Sequence, residues 1–345
     1  MRILICMPQV PFVRGGTEYL VEGLRDALRE HGHTVDVISM PYTWHPVDQA
    51  VQNALLWRML ELDEVDGVPV DQIICTKFPS YVARHPNKVT WLVHQFRQAY
   101  DWYGTPMSDL VNVGLAASMR PAILELDRRG LSESRARYAI SRNVSQRLKR
   151  YNNIDSHVLY PPSRYATRLY ADTYGDYILS CARLDRAKRL DLLLEALAHS
   201  RTRARALLVG TGPDQPRLAA LAARLGLGER VRFLGFVDDA TLIDLYARAR
   251  AVYYAPIDED YGFATVEAFG AARPVVTTED AGGVLEFVSD NVNGFIVPPT
   301  PATIAARLDM LLEDAALAEQ LGHAGQPLVR AITWERVVQA LVGPR

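Results

Sequence analysis

The chain has 345 residues, a formal net charge of −2, 49% apolar residues and 23% charged residues. That length exceeds what one compact core usually organises, so two domains are expected, and the near-neutral charge gives no global pull toward nucleic acid. Three cysteines, Cys6, Cys75 and Cys181, stand far apart inside apolar runs. Such spacing fits neither a disulfide framework nor a zinc site and reads as buried thiols in a reducing cytosol. No apolar run reaches the roughly 18 residues of a membrane span, and the N-terminus enters a strand-like segment directly rather than through a signal peptide. A cytoplasmic enzyme is expected, with peripheral attachment at the inner face of a membrane left open.

In chain order, Arg2 to Met7 reads as a strand, followed by a loop through Pro8, Pro11, Gly15 and Gly16. Leu20, Leu24 and Leu28 then mark one face of a helix from Thr17 to Glu30, closed by Gly32. Thr34 to Met40, Gln72 to Thr76, Val89 to His94 and Arg137 to Ile140 are further strands, with helical patterns between them. The alternation breaks at Tyr160-Pro161-Pro162, and the poorly periodic stretch to Tyr174 suits a linker. A second series follows, with strands at Tyr177 to Cys181, Ala206 to Val209, Val231 to Phe233, Ala251 to Tyr254 and Pro274 to Thr277, and then the run Gly294 to Val297. Helices are expected around Leu190 to His199, up to Leu225, up to Ala249, from about Ala264 and after Pro301. Strands alternating with helices imply parallel sheets, here two doubly wound domains of similar size. Ligands bind such sheets beyond the carboxyl ends of strands, so the residues after each strand are where chemistry is to be sought, and an inter-domain cleft is the expected site.

The most informative stretch is Glu259-Asp260-Tyr261-Gly262-Phe263-Ala264-Thr265-Val266-Glu267, with two glutamates eight positions apart. Gly262 lets a backbone approach a ligand closely, and the N–H groups of Phe263, Ala264 and Thr265 would open a helix, a ready anion site. A second stretch, Ser180-Cys181-Ala182-Arg183-Leu184-Asp185-Arg186-Ala187-Lys188, sets Arg183 and Lys188 directly after a strand. A departing diphosphate needs its charge neutralised, by a metal or by fixed cations such as these. A solvated basic loop is the bland alternative.

Together the two stretches resemble the family 4 retaining glycosyltransferases (glycosyl transferases group 1) of the GT-B fold, two Rossmann-like α/β domains facing an inter-domain cleft. That family carries an Arg-Leu-x-x-x-Lys element for the donor diphosphate and a Glu-x7-Glu element for donor sugar and ribose, here Arg183-Leu184…Lys188 and Glu259…Glu267. The resemblance continues through Phe269 to Val276, Ala281 to Glu286 and Asp290 to Val297, in the family's order. It implies an acceptor-binding domain over 1–162, a nucleotide-sugar-binding domain over 163–325 and a helical segment over 326–345 that in one reading crosses back to the first domain. More loosely, Gly15-Gly16 resembles the family's glycine loop, whose backbone faces the donor phosphates, and His94 stands where the family often carries a histidine near the reacting sugar. Ala139-Ile140-Ser141-Arg142-Asn143 resembles the strand-and-serine element before the linker. Gly210-Thr211-Gly212 resembles a nucleotide-side turn, and Phe236-Val237 the segment whose backbone meets the base.

The resemblance implies transfer of a sugar from a nucleoside-diphosphate sugar to an acceptor hydroxyl, with retention and without a metal or other cofactor. Arg183 and Lys188 would neutralise the leaving diphosphate, Glu259 would hold the donor sugar, Glu267 the ribose, and His94 the reacting sugar or acceptor. The form Glu259-Asp260-Tyr261-Gly262 favours a GDP-mannose-type donor over a UDP-sugar, and a saccharide or lipid-linked saccharide acceptor in bacterial polysaccharide or glycolipid assembly. Asp258-Glu259-Asp260 is formally Asp-x-Asp, a metal-binding signature in the other large glycosyltransferase fold, but it overlaps the Glu-x7-Glu element and cations are already supplied. Arg128, Arg129, Arg135, Arg137, Arg142, Arg147, Lys149 and Arg150 outnumber Glu133 in their window, which suits either an anionic membrane surface or plain solvation. Rival readings are a nucleotide-sugar epimerase of the same fold and a non-catalytic nucleotide-sugar-binding protein. A redox dinucleotide enzyme is disfavoured, because Gly15-Gly16 stands where Gly-x-Gly-x-x-Gly would follow the first strand.

Overall fold

The computed structural model describes residues 1–43, 47–105, 108, 110 and 115–343, so the last two residues of the expected C-terminal segment lie outside the described part. The chain divides into two units, Met1–Pro161 with Thr333–Arg345, and Pro162–Ile332. The sequence-based boundary at 325/326 falls inside a helix, and the chain leaves the second unit only after Ile332.

In the first unit β1 (Arg2–Gln9), α1 (Gly16–Glu30), β2 (Thr34–Pro41) and α2 (Val47–Met59) are followed by a small antiparallel hairpin, β3 (Glu64–Val65) with β4 (Val68–Pro69). Next come β5 (Gln72–Cys75), β6 (Lys88–Leu92), α3 (Leu115–Ser132), β7 (Ala136–Ala139), α4 (Arg142–Asn152) and β8 (His157–Val158). The sheet has the order β2-β1-β5-β6-β7-β8 and every pairing in it is parallel. β5 and β6 are buried along their whole length, as central strands covered on both faces must be. Sequence patterning missed the hairpin and β8, each too short to show a period, and ran the strand at Val89 too far, since β6 ends at Leu92.

α11 (Trp334–Val342) belongs to this unit although it closes the chain. The Trp334 ring meets Trp91 edge-on at 6.3 Å, Gln72 Nε2 donates to the Leu341 carbonyl at 2.9 Å, and the Tyr138 hydroxyl donates to Ala340 O at 2.7 Å. Gly23 on α1 makes room for the indole, because a Cβ there would lie 2.3 Å from the Trp334 ring.

The second unit contains β9 (Tyr177–Cys181), α5 (Leu190–His199), β10 (Arg205–Val209), α6 (Gln215–Arg224), β11 (Val231–Gly235), α7 (Asp239–Arg248) and β12 (Ala251–Tyr253). It continues with α8 (Phe263–Gly270), β13 (Val275–Thr278), β14 (Gly294–Val297), α9 (Pro301–Glu313) and α10 (Ala315–Arg330). Its parallel sheet runs β11-β10-β9-β12-β13-β14, around a core of Ile178, Leu193, Leu208, Tyr253, Val276 and Leu308. The buried Arg273 fastens the linker to this unit by donating to Asp172 O and Ala249 O while its guanidinium lies 3.7 Å from the centre of the Tyr174 ring.

In each sheet the winding direction reverses once, between β1 and β5 in the first unit and between β9 and β12 in the second. Those switch points open a crevice outside the carboxyl ends of the strands. Among the described residues no helix is long and apolar enough to cross a membrane.

Alanine at an exposed helical glycine normally gains about 0.8–1 kcal/mol. At Gly23 the clash with Trp334 dominates, since overpacking costs typically ~1–3 kcal/mol. Gly23→Ala is therefore expected to lower the melting temperature, and a rise on thermal denaturation would show that α11 does not dock as described.

Candidate active site

Of the residues singled out in the second unit, Arg183, Lys188, Glu259 and Gly262 lie at its switch point, while Gly210, Gly212, Phe236 and Val237 follow the strands beyond β9. Arg183 and Lys188 follow β9, and Glu259 and Gly262 follow β12, the adjacent strand. Local backbone packing explains why these loops hold their shape. The segment after β9 extends its pairing with β10 beyond the strands, with Ala182 N–H donating to Val209 O and Leu184 N–H to Thr211 O, each at 3.0 Å. Gly210 and Gly212 are what permit this approach. A Cβ on Gly210 would stand 2.0 Å from Ala182 O, and one on Gly212 would stand 2.2 Å from Leu184 O. The Gly210-Thr211-Gly212 turn thus has a packing reason for its composition that the sequence reading did not supply.

Lys188 ends a single 3-10 turn (Arg186–Lys188) capped by Asp185, whose side chain accepts from the Lys188 N–H. Arg189, in the left-handed region at φ 48°, ties that turn to the β12 side. Its guanidinium donates to Ala255 O, Pro256 O, the Thr278 hydroxyl and the Asp280 carboxylate. From the other direction Ile257 N–H donates to Ala187 O at 2.8 Å, and Glu259 forms a bridge to Gly282.

This anchoring brings the Lys188 ammonium into a direct ion pair with Glu259 Oε2. Tyr254, which no sequence motif pointed to, completes the cluster by donating its hydroxyl to the same carboxylate oxygen at 2.8 Å. Burial by itself would lower the Lys188 pKa, but the Glu259 charge and its direct contact with the ammonium outweigh it and hold the ammonium above its ordinary range. Burial, reinforced by the Glu259 charge, keeps the Tyr254 phenol protonated. Arg183 is half-exposed and reaches Asp185 Oδ2 only at 3.9 Å.

Gly262 caps α8 at φ 90°, a backbone region costly for any residue with a Cβ, and has no side chain with which to cap the helix. The first turn of α8 therefore presents backbone donors and the positive end of the helix dipole. Thr265 in that turn is fully buried and its hydroxyl has no hydrogen-bond partner among the described residues; the same holds for Ser180 on β9. Glu267, one turn further, is buried and accepts from Ser163 Oγ at 3.1 Å and from the Tyr246 hydroxyl at 3.0 Å. Burial pushes its carboxyl up to about 7, with both hydrogen bonds opposing the shift. Phe236 and Val237 follow β11, where Gly235 O accepts from Gly210 N–H at 2.8 Å, and the Phe236 ring is largely exposed.

In the first unit Gly15 and Gly16 follow β1, His94 lies two residues beyond β6, and Ser141 caps α4 by accepting from Val144 N–H. Gly15 is extended and opens α1, but its N–H is already bound by Glu18 Oε2 at 2.8 Å. The buried Lys77 ammonium, from the segment after β5, lies 3.6 Å from the other oxygen of Glu18. The sequence reading missed this pair; Glu18, three positions after Gly15 as in a capping box, was the available signal. His94 Nδ1 sits 2.8 Å from Gln95 O, a contact in which Nδ1 carries the proton.

Much of the basic run from 128 to 150 is committed internally. Arg128 pairs with Glu125, Lys149 with Asp155 and the buried Arg147 with Asp101, while Arg137 donates to the Ser134 carbonyl. Among the described residues no three His, Cys, Asp or Glu side chains are grouped as a metal-ligand set. Glu259 of the Asp-x-Asp stretch is turned to Lys188 instead.

Two parallel-sheet Rossmann-like units with these switch points define a GT-B architecture. Over 99% of its length the chain superposes on a sucrose-phosphate synthase from Thermosynechococcus elongatus with a TM-score of 0.77, covering 97% of that structure at 19% identity. Residues 170–327 match the family described as Glycosyl transferases group 1, so the second unit is a glycosyltransferase domain of that group. An uncharacterized glycosyltransferase of Methanocaldococcus jannaschii is 31% identical over 169 residues, 48% of this chain. The match spans 43% of that relative's length. Human alpha-1,3/1,6-mannosyltransferase ALG2 is 27% identical over 323 residues, covering 80% of this chain and 72% of the human one.

At Gly262 an alanine Cβ would meet the Val284 side chain at 2.9 Å in a left-handed backbone. Gly262→Ala is therefore expected to cost about 1–3 kcal/mol of stability and to displace the first turn of α8. Unchanged thermal and urea unfolding would refute the tight turn described there.

Proposed function

We propose that this chain is a retaining glycosyltransferase that moves a sugar from a nucleoside-diphosphate sugar to an acceptor hydroxyl without a metal. The observation that carries the reading is the Lys188–Glu259 pair beside the uncapped start of α8, inside the segment that matches the group 1 family. In this reading the diphosphate lies on the N–H groups of Phe263 and Ala264; the third N–H expected from the sequence, that of Thr265, is taken up by Gly262 O at 2.9 Å. Lys188 and Arg183 offset its charge, which grows on the leaving phosphate as the glycosidic bond breaks. Glu259 then exchanges Lys188 for hydroxyls of the donor sugar, and Glu267 accepts from the ribose. Gly210, Gly212, Phe236 and Val237 border the nucleoside. For the first unit we propose acceptor binding, with His94 orienting the reacting sugar or acceptor and the Gly15-Gly16 backbone facing the donor phosphates.

The human relative's name supports mannose as the transferred sugar. The preferred donor is accordingly of the GDP-mannose type, and the proposed acceptor is a saccharide or lipid-linked saccharide of bacterial polysaccharide or glycolipid assembly. The internal pairing of Arg128, Arg147 and Lys149 weakens the case for a membrane-binding patch at residues 128–150.

A thermal-shift panel with GDP, UDP, ADP, their sugar conjugates and NAD tests this directly. One nucleoside diphosphate and its sugar conjugate are expected to stabilise the protein equally with and without EDTA. Stabilisation that EDTA abolishes would restore a metal to Asp258 and Asp260, and stabilisation by NAD alone would overturn the assignment.

A further inference from the structure

Glu267 has an unusual setting for a carboxylate meant to meet a ligand. It lies in the interior of the second unit, and each of its oxygens is held by a different donor from a different element. Ser163 Oγ, from the start of the linker, donates to Oε1 at 3.1 Å, and the Tyr246 hydroxyl, from α7, donates to Oε2 at 3.0 Å. Both donors are themselves buried, and Ser163 Oγ is fixed in turn by accepting from Tyr165 N–H at 3.1 Å. Two donors on two oxygens leave the carboxylate one orientation and leave each oxygen a further acceptor site.

We propose that Tyr246 and Ser163 are positioning residues that hold Glu267 ionised and aimed at the ribose hydroxyls of the donor, so that donor affinity depends on the proton of this one carboxylate. The inference rests on the proposed donor site and adds its proton dependence. A charged acceptor binds hydroxyl donors more strongly than a neutral one, and burial already brings Glu267 to about 7, where a modest proton activity fills it.

The other groups facing Glu267 leave it as the titrating member. From the linker, the positive Arg164 favours ionisation; from α7, Asp239 opposes it, though Arg164 pairs with Asp239 and the Tyr165 hydroxyl donates to the same carboxylate. From β9, Cys181 stands against Tyr246, and burial pushes its thiol up to about 12, so it stays uncharged. Burial also holds the Tyr246 phenol, and that of Tyr165, above the ordinary range.

The test is calorimetric titration of the full chain with UDP, GDP and ADP and with their 2′,3′-dideoxy counterparts from about pH 5.5 to about pH 8.5. The dideoxy ligands carry the same titrating diphosphate without the hydroxyls that Glu267 would accept from. For the ribose form, affinity is expected to fall as the pH drops below about 7 and to level off near that of the dideoxy form, which lacks this component. Tyr246→Phe and Ser163→Ala each remove a donor that favours the ionised carboxylate, so each should move the midpoint of the ribose-dependent loss to higher pH, by roughly half a unit or more. Glu267→Gln should abolish the ribose-dependent pH effect, and it keeps the side-chain volume. A ribose-form affinity that parallels the dideoxy form across the range overturns the inference and leaves the donor site standing. Midpoints unmoved in Tyr246→Phe and Ser163→Ala, with both variants folded by circular dichroism, also overturn it. Failure of every nucleoside diphosphate to bind the wild type at any pH overturns the donor site and the inference together.

Discussion

The second unit is organised around one constraint: a lysine after β9 and a glutamate after β12 must meet over the switch point of a parallel sheet. Ion pairs with limited solvent exposure gain little net stability, because desolvating both charges offsets most of their attraction. The Lys188–Glu259 pair is nevertheless built with care. Arg189 fixes the turn that carries Lys188, the bridge to Gly282 fixes Glu259, and Tyr254 donates to the shared carboxylate oxygen. Such construction is better explained by what each partner does when a ligand separates them. Under the proposed donor site, a diphosphate would draw the ammonium and a sugar would draw the carboxylate, so the pair would hold both charges ready for a nucleotide sugar.

Neighbouring features support the same division of labour. The helix start at Gly262 supplies fixed donors without side-chain entropy, and the hydroxyl of the buried Thr265, without a hydrogen-bond partner among the described residues, stands in that turn. Glycines at 210 and 212 bring the loops after β9 and β10 close enough to hydrogen-bond as an extension of the sheet, which sets the backbone on either side of Arg183. The first unit solves its own switch point differently. Glu18 satisfies the Gly15 N–H and faces the buried Lys77, so the start of α1 already has an internal carboxylate.

Much of this architecture was legible in the sequence, because parallel βα alternation leaves a strong periodic trace. β9 has the bounds the sequence pattern indicates, α1 begins one residue earlier than its pattern, and the run Gly294 to Val297 is the strand β14. Arg183 and Lys188 follow β9 and Glu259 follows β12, which puts them at the carboxyl ends of adjacent strands, while Glu267 lies inside α8. What the sequence hid was the set of partners. Tyr254, Tyr246 and Ser163 belong to no spacing pattern, as they reach Glu259 and Glu267 only through the tertiary fold. The packing role of Gly210 and Gly212 was hidden for the same reason. Elements of two residues, such as β3, β4 and β8, are too short for any period to appear.

The central claim is that Lys188 is reserved for a diphosphate and is held by Glu259 until one arrives. Calorimetric affinities of the free nucleoside diphosphate for Lys188→Ala and Glu259→Gln test it most directly, because the account gives the two substitutions opposite signs. Lys188→Ala should bind the diphosphate roughly tenfold or more weaker, the loss of one charge-assisted contact. Glu259→Gln removes the competing carboxylate and should bind it at least as tightly as the wild type. Equal losses in the two variants, or an undiminished affinity in Lys188→Ala, would contradict the account.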